Sequence, residues 1–109
     1  VGEETDDEEP YIENVEAINN VTVEIEFSER IAAADKSGFE IRNEDTGKKL
    51  SIDTLKIDKE TVTLVLSTPL ESRYEYELNM DGNKVADFAG NKADEDSLYF
   101  NGSDLAPVK

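Results

Sequence analysis

Residues 21–27 read VTVEIEF, and residues 62–67 read VTLVLS. In the first, Val21, Val23, Ile25 and Phe27 alternate with Thr22, Glu24 and Glu26, a period of two that gives a strand one apolar and one acidic face. In the second, Val62, Leu64 and Leu66 alternate with Thr61, Thr63, Val65 and Ser67. A third run, 74–80, sets Tyr74, Tyr76, Leu78 and Met80 against Glu75, Glu77 and Asn79. Three half-buried strands of this kind need a second layer to cover their apolar faces.

Outward from these runs, shorter candidates lie at Ile12 to Ile18, Phe39 to Arg42, Leu50 to Ile57 and Ser97 to Asn101, which brings the expected count to seven. Turn formers separate them at intervals near ten residues. Asp45-Thr46-Gly47 joins two strands, Asp81-Gly82-Asn83 suits a turn with positive φ, and Pro69 ends a ladder. Only SERIAAAD (28–35) has helix-friendly composition, and eight residues support a single connecting turn with Ser28 as its cap. The pattern predicts an all-β, seven-stranded Greek-key sandwich.

The organisation is one domain. At 109 residues there is no room for a second core. Residues 1–10 hold six acids and no base, which predicts a solvated acidic linker; 11–102 form the sandwich; 103–109 read as a linker or the start of a following repeat, with Pro107 echoing Pro10. Net charge is −16, from 27 acidic and 11 basic residues; with the linker set aside, 21 acids against the same bases leave −10. Nucleic acid and anionic membrane surfaces are therefore disfavoured as partners. The chain has no Cys and no His, which removes thiolate and imidazole metal ligands, disulfides, and the usual nucleophile–base pairs.

Three phrases in order, VTVEIEFSERI (21–31), VTLVLSTPLESRYEYELNM (62–80) and VADFAGNK (85–92), resemble the bacterial immunoglobulin-like domains of S-layer and other cell-surface proteins. The resemblance implies an extracellular sandwich, on the bacterial surface or secreted, that acts as a non-catalytic spacer or assembly module, often in tandem. Its implied partners are neighbouring domains of the same chain. The alternative is a binding module for cell-wall polysaccharide or a surface protein. Read physically, Tyr74 could return its hydroxyl to an upstream backbone group as a tyrosine corner. Asp87 could accept from N–H groups two residues on, while Gly90 and Asn91 suit positive φ in a loop closing the last hairpin.

Hard oxygen ligands are abundant between residues 81 and 96, so calcium is the one cofactor the composition invites. The candidate ligands are Asp81, Asn83, Asp87, Asn91, Asp94 and Asp96. The EF-hand spacing is not met, and the same residues suit a solvated, turn-forming loop. Glu24 with Glu26 and Glu75 with Glu77 lie two apart on solvent faces, with no cleft to tune them for the two-carboxylate chemistry of glycoside hydrolysis. Tyr74 and Tyr76 belong to the expected core face, and Tyr11, Phe88 and Tyr99 are assigned to neither face. Asn20-Val21-Thr22 and Asn101-Gly102-Ser103 match the glycosylation acceptor pattern and are read as turns.

Overall fold

The computed structural model describes residues 9–104, so the acidic linker up to residue 8 and the segment 105–109 lie outside it. Among the described residues there are ten strands: β1 Ile12–Ala17, β2 Thr22–Phe27, β3 Ile31–Ala34, β4 Phe39–Asn43, β5 Lys49–Leu50, β6 Ile52–Asp58, β7 Thr61–Leu66, β8 Glu75–Met80, β9 Val85–Asp87 and β10 Asp96–Asn101. Two four-stranded antiparallel sheets, ordered β1-β2-β7-β6 and β10-β8-β4-β5, face each other, and β3 pairs with β9 at one end. None of the described helical segments is long and apolar enough to cross a membrane.

The alternation read from the sequence sets the register. Val23, Ile25 and Phe27 of β2 lie opposite or beside Val62, Leu64 and Leu66 of β7, and all six are buried. From the other sheet Ile41, Tyr76, Leu78, Met80 and Phe100 close the core. Burying such side chains stabilises by roughly 1.5–3 kcal/mol each relative to exposure.

Seven strands become ten for three physical reasons. The expected strand 50–57 divides at Ser51, where the chain leaves Ile41 as partner of Leu50 and takes Leu66 as partner of Ile52. That step carries it from one sheet to the other. The helical turn expected in 28–35 is instead β3: Ile31 is buried, its N–H donates to the Lys59 carbonyl at 2.9 Å, and the strand pairs with Val85–Asp87. A helix of eight residues gains too little to compete with that tertiary pairing. The third addition is β9 itself.

The tyrosine corner belongs to Tyr76, not Tyr74. Tyr76 is buried, its ring stacks on Phe100 with centroids 5.8 Å apart, and its hydroxyl accepts a hydrogen bond from the Glu71 N–H at 2.9 Å. Tyr74 precedes β8, is half-buried, and lies 4.6 Å beneath the Arg73 guanidinium. Same-face parity was read correctly: Tyr74 packs against the edge of the core, but only the residue inside the strand is fully buried.

The path of the chain has a direction. Tyr11 enters beside Ser28, exchanging hydrogen bonds with it at 3.0 and 2.8 Å, at the end where β2 finishes and β3 and β9 sit. The chain leaves at the other end, where Gly102 N–H donates to the Tyr74 carbonyl and Asp104 accepts from the Ser72 N–H at 3.1 Å. The molecule measures 48 × 30 × 19 Å. We call these the entry and exit poles.

Candidate functional site

The residues expected to gather around calcium fall into three places. Asp87 and Asn91 form a turn. The Asp87 carboxylate, 3% exposed, accepts from the N–H of Ala89 at 3.0 Å, the N–H of Asn91 at 2.8 Å and the Asn91 side-chain amide at 3.1 Å. Backbone bonds from Asp87 N–H to the Asn91 carbonyl and from Gly90 N–H to the Asp87 carbonyl lock the loop, with Gly90 at φ +90°. Burial alone would raise the Asp87 pKa. Hydrogen bonds from Asn91, Glu29 and the Ala89 backbone outweigh it and hold the carboxyl below its usual range. The turn does not close a hairpin onto β10, as expected, but connects β9 to a single bridge, Ala86 to Lys92. Asn91 does not take positive φ; among the described non-glycine residues only Lys59 does.

Asp81, Asn83 and Asp94 occupy a second place, lining an open cavity of about 620 Å³ with Glu40, Asn79 and Glu95. Here Asp81-Gly82-Asn83 is not the positive-φ turn expected. Gly82–Lys84 is a short 3-10 turn capped by Asp81, whose carboxylate accepts from the Asn83 N–H at 3.1 Å. Gly82 is needed for closeness rather than for its φ: a Cβ there would stand 1.8 Å from the Ala93 carbonyl oxygen. Glu9 reaches this mouth as well. A hydrogen bond with the Asp94 side chain, and then the Asp94 charge, raise the Glu9 pKa.

Asp96 is in a third place, the first residue of β10, where it pairs with Met80 and accepts from the Ser97 N–H at 2.8 Å. Among the described residues no three Asp or Glu side chains are grouped so as to hold a metal ion.

The carboxylate pairs lie as expected on open sheet faces. Glu16 and Glu24 stand directly opposite across β1 and β2, with Glu26 beside them. On the outer face of the second sheet, Tyr99, Glu77 and Arg42 form one row across β10, β8 and β4. The Arg42 guanidinium bonds Glu77 at 3.1 Å and lowers its pKa, whereas burial and then the Glu77 charge raise that of Glu44. Tyr99 is raised chiefly by the charges of Glu77 and Glu44. An ion pair open to water on one side is worth little in stability.

Of the leftover aromatics, Tyr99 is 57% exposed on this face, while Tyr11 and Phe88, 56% and 75% exposed, lie at the entry pole. Sequence parity had no means of finding Phe88, because it belongs to a turn rather than a strand.

Two four-stranded sheets with a strand passing from one to the other, and a tyrosine corner, define an immunoglobulin-like sandwich. A family model for the bacterial Ig-like domain matches residues 10–101, and the chain belongs to that family. Among solved structures it is similar to the N-terminal part of the bacterial S-layer protein SbsC, at 22% identity and a TM-score of 0.81 over 92% of this chain. It is also similar to SbsC domains 1–6, at 22% identity and 0.81 over 94%. A third match is the S-layer protein rSbsC(31-844), at 22% and 0.80 over 92%. The chain spans 25%, 15% and 14% of those chains, and identity at this level speaks for the fold alone. No curated protein matches.

Proposed function

We propose that the chain is a non-catalytic spacer and assembly module of a bacterial cell-surface or secreted protein, set in series with neighbouring domains of the same polypeptide. The observation that carries this is direction: the chain enters at one pole and leaves at the other of a body 48 Å long, so each such domain would add length. The family and its S-layer structural neighbours support a surface setting. With acidic pairs on flat faces and neither Cys nor His, nothing in the site asks for a reaction. Calcium is a separate proposal, confined to the cavity mouth where Glu9 and Asp94 meet, because the Asp87 carboxylate and the Asn91 carbonyl are engaged in their own turn.

A second reading, a module binding cell-wall polysaccharide or a protein partner, rests on Tyr99 beside Arg42 and Glu77 on an open sheet face. One experiment separates the two. The chain lacks native Cys, so Tyr11→Cys with Asp104→Cys accepts spin labels at the two poles alone. The spacer reading expects a single narrow distance near the long dimension and no retention by purified cell-wall polysaccharide. A distance near the 19 Å dimension overturns it, and retention lost on Tyr99→Ala moves the function to the sheet face.

A further inference from the structure

Of the eight asparagines in the chain, only Asn101 is followed by glycine. Glycine has no Cβ to shield its backbone nitrogen, so Asn-Gly is the dipeptide in which that nitrogen most readily attacks the asparagine side chain. Here the fold requires the glycine. A Cβ at position 102 would stand 2.1 Å from the Glu71 carbonyl oxygen and 2.8 Å from the Tyr76 ring, so the tyrosine corner admits no other residue. Asn101 is the last residue of β10, its side chain is exposed, and its register partner in β8 is Glu75. The corner thus keeps a reactive dipeptide that packing prevents from being replaced.

The same packing restrains the reaction. The Gly102 N–H donates to the Tyr74 carbonyl at 3.1 Å, and Asp104 accepts from the Ser72 N–H at 3.1 Å and from the Ser72 hydroxyl. These bonds clasp residues 102–104 to the loop 71–74. While they hold, the Gly102 nitrogen keeps its proton aimed at Tyr74, and the wedge against Glu71 stops the peptide plane from turning. Attack requires the clasp to open first, a local event that costs less than unfolding the whole domain.

We propose that Asn101 is a self-modification site gated by this clasp. On opening, the Gly102 nitrogen bonds to Asn101 Cγ, and the bond from Cγ to the side-chain nitrogen breaks. Ammonia leaves with the proton that Gly102 gives up. Water then opens the imide ring: addition at the side-chain carbonyl gives aspartate, and addition at the main-chain carbonyl gives isoaspartate, whose backbone runs through Cγ and is one carbon longer. Only water is consumed. Aspartate sets a second carboxylate opposite Glu75, a like-charge pair that weakens strand pairing. Isoaspartate shifts Gly102 from its place against Glu71. Either product loosens the exit pole, and none of this depends on what the domain spaces or binds.

The test ages the full chain in warm, mildly alkaline buffer and follows each asparagine by peptide mass spectrometry, beside Asp104→Ala, Asp104→Asn and the parent chain in urea. In urea the mass gain of an amide becoming an acid should arise first at Asn101. The folded parent should convert roughly tenfold or more slowly than in urea, and Asp104→Ala about fivefold faster than the folded parent, because a capping acceptor is gone. Asp104→Asn keeps the acceptor without the charge and should stay close to the parent. Asn101→Asp, which sets the product in place, should lower Tm by about 1–5 °C, with salt restoring part of the loss. A folded parent converting at the urea rate, or an Asp104→Ala chain no faster than the parent, would overturn the gate. Equal acceleration in Asp104→Ala and Asp104→Asn would trace the effect to charge and overturn the clasp as its cause. Faster conversion at another asparagine in urea, or none at Asn101 in any folded sample, would overturn the site.

Discussion

The turn at 87–91 and the cavity mouth at 81–84 and 93–95 are built from the same residue types, a few positions apart, and are held by opposite means. In the turn a side chain holds the backbone: Asp87 is buried and its carboxylate organises Ala89 and Asn91. At the mouth the close approach of Gly82 to the Ala93 backbone is the main support, Asp81 adds a single cap to the Asn83 N–H, and Asp81 and Asp94 line the cavity. A count of acidic residues makes the two loops look alike. Their hydrogen bonds differ: the Asp87 carboxylate accepts three within its own turn, whereas the Asp81 carboxylate accepts one, from the Asn83 N–H.

The largest effects should come from exchanging the two means of support. Gly82→Ala drives a methyl group into the Ala93 carbonyl and is expected to cost about 3–5 kcal/mol, read as a shift of the denaturant midpoint. Asp87→Ala removes the buried carboxylate that accepts from the N–H groups of Ala89 and Asn91, which are themselves only partly shielded, and should cost about 1–3 kcal/mol. Asp81→Ala removes a cap from a 3-10 turn and should cost about 0.5–1 kcal/mol. If Asp81→Ala cost as much as Asp87→Ala, the distinction between the loops would collapse.

The pH response should separate them by sign. The Asp87 pKa is lowered by folding, so its contribution is fully present above the unfolded value, about 3.9, and is lost as pH falls through the lower folded value. The Glu9 pKa is raised by folding. Its contribution is fully present below the unfolded value, about 4.3, and is lost as pH rises through the folded one. Relative to the parent chain, Asp87→Asn should therefore flatten the stability loss on acidification below about pH 4, and Asp94→Asn should improve stability on the alkaline side of the Glu9 titration. Matching pH profiles for the two variants would show that both carboxylates share one environment.

The sheets were largely legible in the sequence because half-burial writes a period of two into β2, β7 and β8, and the register follows from it. What escaped had no periodic signature. The strand at Ile31–Ala34 is set by a partner more than fifty residues away, Val85–Asp87, against a local composition that favours helix. The choice between Tyr74 and Tyr76 depends on where β8 begins, which parity does not encode. In the candidate site the Asp87 turn was legible, since Asp, Gly and Asn at that spacing have a local chemistry. The separation of Asp87 from Asp81 and Asp94 was not, because it arises from the β3–β9 pairing and from Gly82 meeting Ala93.

Charge should give a smaller and more general effect. Glu16 opposite Glu24, with Glu26 adjacent, places like charges in register on an open face of a chain at −16. Monovalent salt should raise Tm as the Debye length shrinks from about 10 Å at 0.1 M toward 3 Å at 1 M. Glu24→Gln should reduce that rise, and a salt-independent Tm would show that these repulsions do not reach the folding equilibrium.

The smallest expected effect decides what the cavity mouth does. Surface calcium sites of extracellular modules have Kd values of about 10⁻⁴–10⁻³ M, so 10 mM calcium at one site would add about 1.4–2.7 kcal/mol by RT ln(1 + [L]/Kd). With only Glu9 and Asp94 brought together, and no third acidic side chain grouped with them among the described residues, the expected increment is at or below the lower figure. It should be measured against magnesium-free sodium chloride at matched ionic strength, so that screening cancels. An increment abolished by Asp94→Asn but kept, on a lower baseline, by Asp87→Asn assigns calcium to the mouth. If Asp87→Asn abolished it while Asp94→Asn did not, the turn would be giving oxygens that its hydrogen bonds already occupy, and the contrast between the loops would be wrong. Superimposable melting curves in chelator and in calcium would remove the metal and leave Asp81 and Asp94 as solvated acids around a backbone contact.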